Sequence, residues 1–171
     1  MLHSQNRPDF TSYKEFLELK YHQYNHPGFI ENDPVSIPHR FKKKEDIEIS
    51  GFLTATIAWG KRKTIINNAL SLIHIMDDAP YDFIMHAEKK DFNRFSGFTH
   101  RTFNGFDCIT FLQSLQHIYR DHGGIENCFK AEDIKQGIIK FRNIFFSHPH
   151  ALRAEKHLAN PAVNSSAKRI N

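Results

Sequence analysis

Basic side chains beside turns are the residues whose types and spacing best suit a chemical task. The run Trp59-Gly60-Lys61-Arg62-Lys63 places an aromatic ring and three cations at the start of a predicted helix. A helix N-terminus attracts phosphate through its free N–H groups and its dipole, and added lysine or arginine strengthens the attraction. The ring can stack on bases or wedge between them. The pattern therefore predicts a nucleic-acid contact at Trp59, Gly60, Lys61 and Arg62.

Two more turns share this character. The run His100-Arg101-Thr102-Phe103-Asn104-Gly105 carries cationic and amide donors, and a turn from Asn160 to Arg169 is predicted to enter a helix. For any one turn, the alternative is a capped turn with solvated charges. Three such turns in one small chain favour a binding surface, whose further candidates are His100, Arg101, Asn104, Asn164, Ser165, Lys168 and Arg169.

Other chemistries have little support. The carboxylate pairs Asp77-Asp78 and Glu132-Asp133 are adjacent in sequence, and neighbours on a helix point ~100° apart, so helix capping explains them better. The pair His148-x-His150 comes without an HExxH or CxxC motif, and packing suits Cys108. The sequence contains no GxSxG, Walker or GxGxxG motif. We therefore expect no catalytic residue, no metal and no cofactor in this chain.

Composition sets the class of protein. The 171 residues include 23 Lys and Arg against 19 Asp and Glu, which gives a net charge of +4, a mild excess that suits a polyanion partner. No apolar run approaches the ~20 residues that cross a bilayer, and the N-terminus does not resemble a signal peptide. Two cysteines make no disulfide framework. These features predict a cytoplasmic protein that does not enter membranes.

Helical periodicity dominates the chain, and no stretch alternates apolar and polar residues over strand length. The sequence therefore predicts an all-α bundle of six to eight helices in a single domain over residues 1–171, with a core rich in its 16 phenylalanines. The helices are predicted at 9–24 with Asp9 as cap, 45–59, 64–76, a short one capped by Asp78 with Pro80 in its first turn, a turn at 91–95, 106–120 and 131–146.

The end of the chain is expected to interrupt an element. Ser165 is predicted to cap a helix that begins at Ser166, yet the sequence stops at Asn171. Isolated helices need ~12–15 residues to be even marginally stable. We expect the domain to be incomplete at its C-terminus, and the alternative is a frayed natural terminus.

Five segments of the chain form specific motifs: Ser36-Ile37-Pro38-His39-Arg40-Phe41, Ala58-Trp59-Gly60-Lys61-Arg62, His100 to Gly105, Phe145-Phe146-Ser147-His148-Pro149 and Asn160 to Asn171. On these segments the chain resembles a bacterial family of uncharacterised proteins, and it looks like the N-terminal two-thirds of such a protein. The similarity covers nearly all of the chain. That family in turn distantly resembles the helix-hairpin-helix DNA glycosylases, which are all-α enzymes of base-excision repair.

The resemblance implies a duplex DNA partner and roles for particular positions. Trp59 to Lys61 falls where glycosylases place the Gln or Asn that fills the gap left by a flipped base. The phosphate-gripping hairpin falls at Asn160 to Ser166, with Asn164 in place of a left-handed glycine. The catalytic aspartate of such enzymes would follow Asn171. We therefore expect the intact protein to excise bases and this chain to be inactive.

Two other classes remain open from the sequence. One is a non-catalytic module that binds DNA or RNA, whose affinity would fall steeply with salt. The other is a helical protein-interaction protein in which the basic turns are incidental, and such a protein would be indifferent to DNA.

Overall fold

A computed structural model describes residues 12–169, which fall into two compact units that divide between Asp33 and Pro34. The first unit holds helices α1 (Tyr13–Tyr24) and α2 (Pro27–Ile30). The side chain of Ser12 caps α1 by accepting a hydrogen bond from the backbone N–H of Glu15 at 3.3 Å. The predicted cap, Asp9, lies outside the described residues.

The second unit contains the other six α-helices and one small hairpin. The hairpin strands run antiparallel, with Thr99 opposite Asn104. The described residues therefore confirm the predicted all-α fold. The elements are α3 (Lys44–Thr56), α4 (Arg62–Ile75), α5 (Pro80–His86), β1 (Thr99–His100), β2 (Phe103–Asn104), α6 (Gly105–Asp121), α7 (Ile125–Phe129) and α8 (Ile134–Phe145).

Phenylalanine rings from three helices fill the centre of this unit. Phe52 on α3 contacts Phe111 on α6 and Phe145 on α8, with ring centroids 6.0 and 5.4 Å apart. Phe111 and Phe145 meet directly at 4.9 Å, and both are fully buried. Edge-to-face packing of this kind adds to the free energy gained by burial. This aromatic core packs α3, α6 and α8 against one another. Helix α3 precedes the basic turn at Trp59, and α6 follows the one at His100 to Gly105.

Several predicted boundaries differ from the structure. Helix α3 ends at Thr56, three residues before its predicted end, so Trp59 stands in a turn. The predicted helix 131–146 is α8 alone, and it begins after Asp133, whose carboxylate accepts the N–H of Gln136 at 2.8 Å. Asp78 is not the cap of α5: it has φ 55°, and its carboxylate bonds the ring of His74.

The prediction of a helix from Ser166 was wrong for the described residues, which end at Arg169. The Oγ of Ser165 accepts the N–H of Ala167, two residues ahead, at 3.3 Å. This bond is one that a helix N-cap also makes, so it does not by itself prevent a helix. Ala167 then adopts a left-handed conformation with φ 52°, which a right-handed helix does not allow. Ile170 and Asn171 lie outside the described part.

Across residues 12–169, no helix is both long and apolar enough to span a bilayer.

Candidate nucleic-acid interface

Trp59 lies half-buried in the turn between α3 and α4, and His100 holds it there. The Nε2–H of His100 donates to the carbonyl oxygen of Trp59 at 3.0 Å, while its Nδ1 accepts the amide of Asn68 at 2.8 Å. The two rings meet edge to face at 5.1 Å. The sequence predicted His100 as part of an exposed binding surface. The side chain is only 2% exposed, so it does not face solvent. It positions Trp59 instead.

The first two predicted turns meet at Gly60. This glycine has φ +116°, and a Cβ on it would stand 3.1 Å from a guanidinium nitrogen of Arg101. Lys61 and Arg62 are exposed where α4 begins, and the first turn of that helix carries no acidic residue. Arg101 is exposed as well. The two turns therefore present their cations side by side.

The third predicted turn reaches the same indole. The guanidinium carbon of Arg169 lies 4.9 Å from the centroid of the Trp59 ring, which is cation–π geometry. Ser165 and Lys168 line a cavity of about 680 Å³ together with Trp59. Asn164 adopts the left-handed conformation that we predicted, with φ 64°, and faces a neighbouring cavity of about 500 Å³.

Asn104 makes hydrogen bonds that stabilise the start of α6. Its side-chain oxygen accepts the N–H of Asp107 at 3.3 Å, and its own N–H donates to the carboxylate of Asp107 at 3.1 Å. This reciprocal capping box starts α6. The same oxygen also accepts from Arg153 at 2.6 Å. Asn104 thus positions Asp107 and Arg153 through its side-chain oxygen and its backbone N–H.

Sequence reasoning missed a buried charged cluster behind Trp59. The Oδ2 atom of Asp107 accepts a hydrogen bond from Nε2–H of His157 at 3.2 Å and lies 3.0 Å from a guanidinium nitrogen of Arg153. The Oδ1 atom is buried and has no hydrogen-bond partner within residues 12–169. Asp107 and His157 lie 50 residues apart, so the sequence alone does not show that they pair. The N-x-x-D capping pattern that begins at Asn104 was the one feature of the sequence that pointed to Asp107.

His157 is enclosed by two aromatic rings. It stacks on Trp59 at 6.0 Å with an interplanar angle of 16°, and it meets the edge of Phe103 at 5.0 Å. Burial lowers the pKa of His157 below its ordinary value, and Lys156 and Arg153 act in the same direction, while Asp107 opposes them. The imidazole is therefore neutral near pH 7.

Positive charge dominates the space around Trp59. The cavity of about 680 Å³ and an adjoining one of about 380 Å³ share Trp59, Lys156 and Arg169. Neither cavity has an aspartate or glutamate among its lining residues. Such a concave, cationic surface with an aromatic ring suits an anionic ligand that carries bases. The described residues include no group of histidine, cysteine or carboxylate side chains placed to hold a metal ion.

Comparison with known proteins gives one match. A family model described as "Protein of unknown function (DUF2400)" matches residues 33–171. The match confirms the predicted likeness to a family of uncharacterised proteins, whereas the likeness to DNA glycosylases stays a prediction. No curated protein and no solved structure matches the chain.

Proposed function

We propose that this chain, which belongs to the DUF2400 family, binds duplex DNA through the surface around Trp59. This Trp59 surface consists of Trp59–Arg62, Arg101, Lys156, Lys168 and Arg169. One observation carries the proposal: the guanidinium of Arg169 lies over the indole, and Gly60 of the same turn abuts Arg101. Cations from three separate segments of the chain thereby lie beside the turn that carries Trp59.

The surface suits the sugar-phosphate backbone more than base readout. Lysine and arginine side chains neutralise phosphates and release condensed counterions, a contribution that does not depend on sequence. Lys61, Arg62, Arg101 and Lys168 are exposed, so they can reach a backbone without rearrangement of the core. The half-buried indole lines both cavities, where a base or sugar can approach it. We therefore expect tight binding to carry little sequence preference.

Charge reversal tests the proposal with a matched control. Lys61→Glu/Arg62→Glu and Lys42→Glu/Lys43→Glu each change the net charge by −4, from +4 to 0. The control pair precedes α3 and the test pair follows it, about 20 Å apart along a helix of 13 residues. We expect the test variant to lose at most a few kcal/mol of DNA affinity and to lower the salt slope by about 2, because each contact neutralises about one phosphate.

We expect the control variant to lose less DNA affinity and to keep the salt dependence of the parent protein's DNA affinity. Fluorescence anisotropy of a labelled duplex at two or more salt concentrations measures both quantities. Equal losses in the two variants would mean that net charge alone matters and would refute the proposed surface. Binding that is absent at low salt would favour the protein-interaction alternative.

Base excision, which the resemblance implies for the intact protein, is the second candidate. Excision needs a group that stabilises a cationic sugar, commonly a carboxylate. Because the linings of both cavities lack one, we expect the present chain to bind duplexes without releasing a base. Base release from a duplex that contains a damaged nucleotide, measured by alkali-induced strand cleavage, checks this expectation.

A further inference from the structure

We propose that His157 and Asp107 form a proton-transfer pair that acts on a phosphate ester of nucleic acid held on the Trp59 surface. The inference rests on the proposed DNA binding and adds a reaction to it. His157 is the group that exchanges the proton, and Asp107 is a positioning residue that acts through His157.

The hydrogen bonds fix the orientation and tautomer of the imidazole. The carboxylate of Asp107 is fully buried and accepts from His157 Nε2–H, from Arg153 and from the backbone N–H of Asn104. These three donors, one of them the guanidinium of Arg153, fix the position of the carboxylate. Because Nε2 carries the proton, Nδ1 carries the lone pair, and Nδ1 makes no hydrogen bond within the described residues. An oriented neutral imidazole is a suitable general base.

The ring of His157 borders two spaces of different size. With Trp59, Thr102 and Lys156 it lines the cavity of about 380 Å³, which is large enough for part of a nucleotide. With Thr56 it also lines a space of about 20 Å³, which is the size of a single water molecule. Arg169 borders both spaces. The imidazole therefore lies between room for an ester and room for one nucleophilic water.

The charges around His157 favour cleavage of a phosphate ester bond over cleavage of an N-glycosidic bond. Lys156 and Arg169 can stabilise the negative charge that develops on the non-bridging oxygens during phosphoryl transfer. The same cations oppose the positive sugar that forms when an N-glycosidic bond breaks. The Asp107 carboxylate does not line either space, and Arg153 offsets its charge. A phosphate ester is therefore the substrate class that the site fits.

The step is hydrolysis by water. Nδ1 of His157 takes one proton from the water as the water oxygen forms a bond to phosphorus. The ester P–O bond breaks, its electron pair leaves with the ester oxygen, and that oxygen takes the proton back from the imidazolium. Asp107 stabilises the transient imidazolium through the Nε2–H hydrogen bond. The products are an alcohol and a phosphate, and His157 returns to its neutral form.

A single-turnover assay with the full chain tests this reaction. A duplex labelled at a terminal 5′-phosphate distinguishes release of inorganic phosphate, which reports a terminal monoester, from strand cleavage, which reports an internal diester. We expect one of these products, with or without added Mg²⁺. His157→Gln is expected to slow it about 100-fold or more, the usual contribution of a general base. His86→Gln, which changes an exposed histidine on α5, is expected to leave the rate unchanged.

The pH profile separates a positioning role of Asp107 from a structural one. The pKa of His157 is lowered by its burial and by Lys156 and Arg153 and raised by Asp107. Arg169 is a further charged group that lines the same cavity. The parent rate rises with pH as His157 loses its proton. In Asp107→Asn the imidazolium loses its partner, so we expect a slower rate and a rising limb shifted to lower pH. A merely structural role would reduce the folded fraction without moving the limb.

Three results overturn the inference. The first is duplex binding without either product. The second is product formation that survives in His157→Gln, since it would come from another group or a contaminant. The third is base release as the reaction. The first result leaves the proposed DNA binding intact, whereas a chain that does not bind DNA refutes both proposals.

Discussion

Gly60 joins two of the basic turns, and its conformation makes it sensitive to substitution. A side chain at φ +116° is strained, and the added Cβ would press on Arg101 at 3.1 Å. We expect Gly60→Ala to lower the free energy of unfolding by about 1–3 kcal/mol. Gly97→Ala is the control, because a Cβ there meets nothing within 4 Å. Urea denaturation measures both, and equal effects would show that Gly60 is not constrained.

Two histidines, His148 and His157, set the response of stability to acid. Burial is the main cause that lowers the pKa of both His148 and His157. The unfolded chain therefore binds more protons than the folded chain just below about pH 6.5, so the free energy of unfolding falls as the pH drops from about 7 to about 5. We expect His157→Gln to flatten this dependence, and His39→Gln, at an exposed position, to leave it unchanged. A parent protein equally stable across this range would contradict the assignment.

Individual residues show where sequence reasoning succeeds. Lys61 and Arg101 occupy turns as predicted, because glycine and clustered charges mark turns locally. The burial of His100 and the Asp107–His157 pair could not be predicted, since both depend on contacts between distant segments. Charge patterns identify exposed cations well, and they do not reveal which polar groups the fold has already satisfied.

Among the elements, α8 depends on a cap that can be removed cleanly. Asp133 accepts the N–H of Gln136 at 2.8 Å, which satisfies one of the free donors at the helix start. We expect Asp133→Ala to lower the free energy of unfolding by about 1 kcal/mol. Glu132→Ala removes the adjacent charge without this bond and should cost clearly less. Thermal unfolding of the two variants checks the difference, and equal losses would show that only charge is at work.

The boundaries of elements explain the remaining differences. An apolar run from Phe52 to Trp59 predicts a buried helix, yet periodicity does not show that α3 ends at Thr56. Ser165 resembles a helix cap in the sequence, and its hydroxyl does accept the N–H of Ala167, but the left-handed conformation of Ala167 prevents a helix from beginning. These small changes place Trp59 and Arg169 in irregular segments that meet.

At the scale of the whole molecule, helical periodicity in the sequence predicted the all-α fold. The sequence did not predict that the three basic turns lie beside one another. Each turn alone is explained equally well by solvated charge. Their meeting arises because α3, the β1–β2 hairpin and the segment after Pro161 all end beside Trp59. Surface charge is therefore concentrated on one region although the net charge is only +4. The DNA-binding proposal depends on this concentration.

The fluorescence of Trp59 tests that proposal most directly, because the chain contains one tryptophan. Titration with duplex DNA is followed by tryptophan emission and, on the same samples, by anisotropy of a label on the DNA. We predict a saturable change in emission with the same dissociation constant as the anisotropy, reversed by added salt. Anisotropy that reports binding while the emission of Trp59 stays constant would place the DNA elsewhere on the protein and contradict the account.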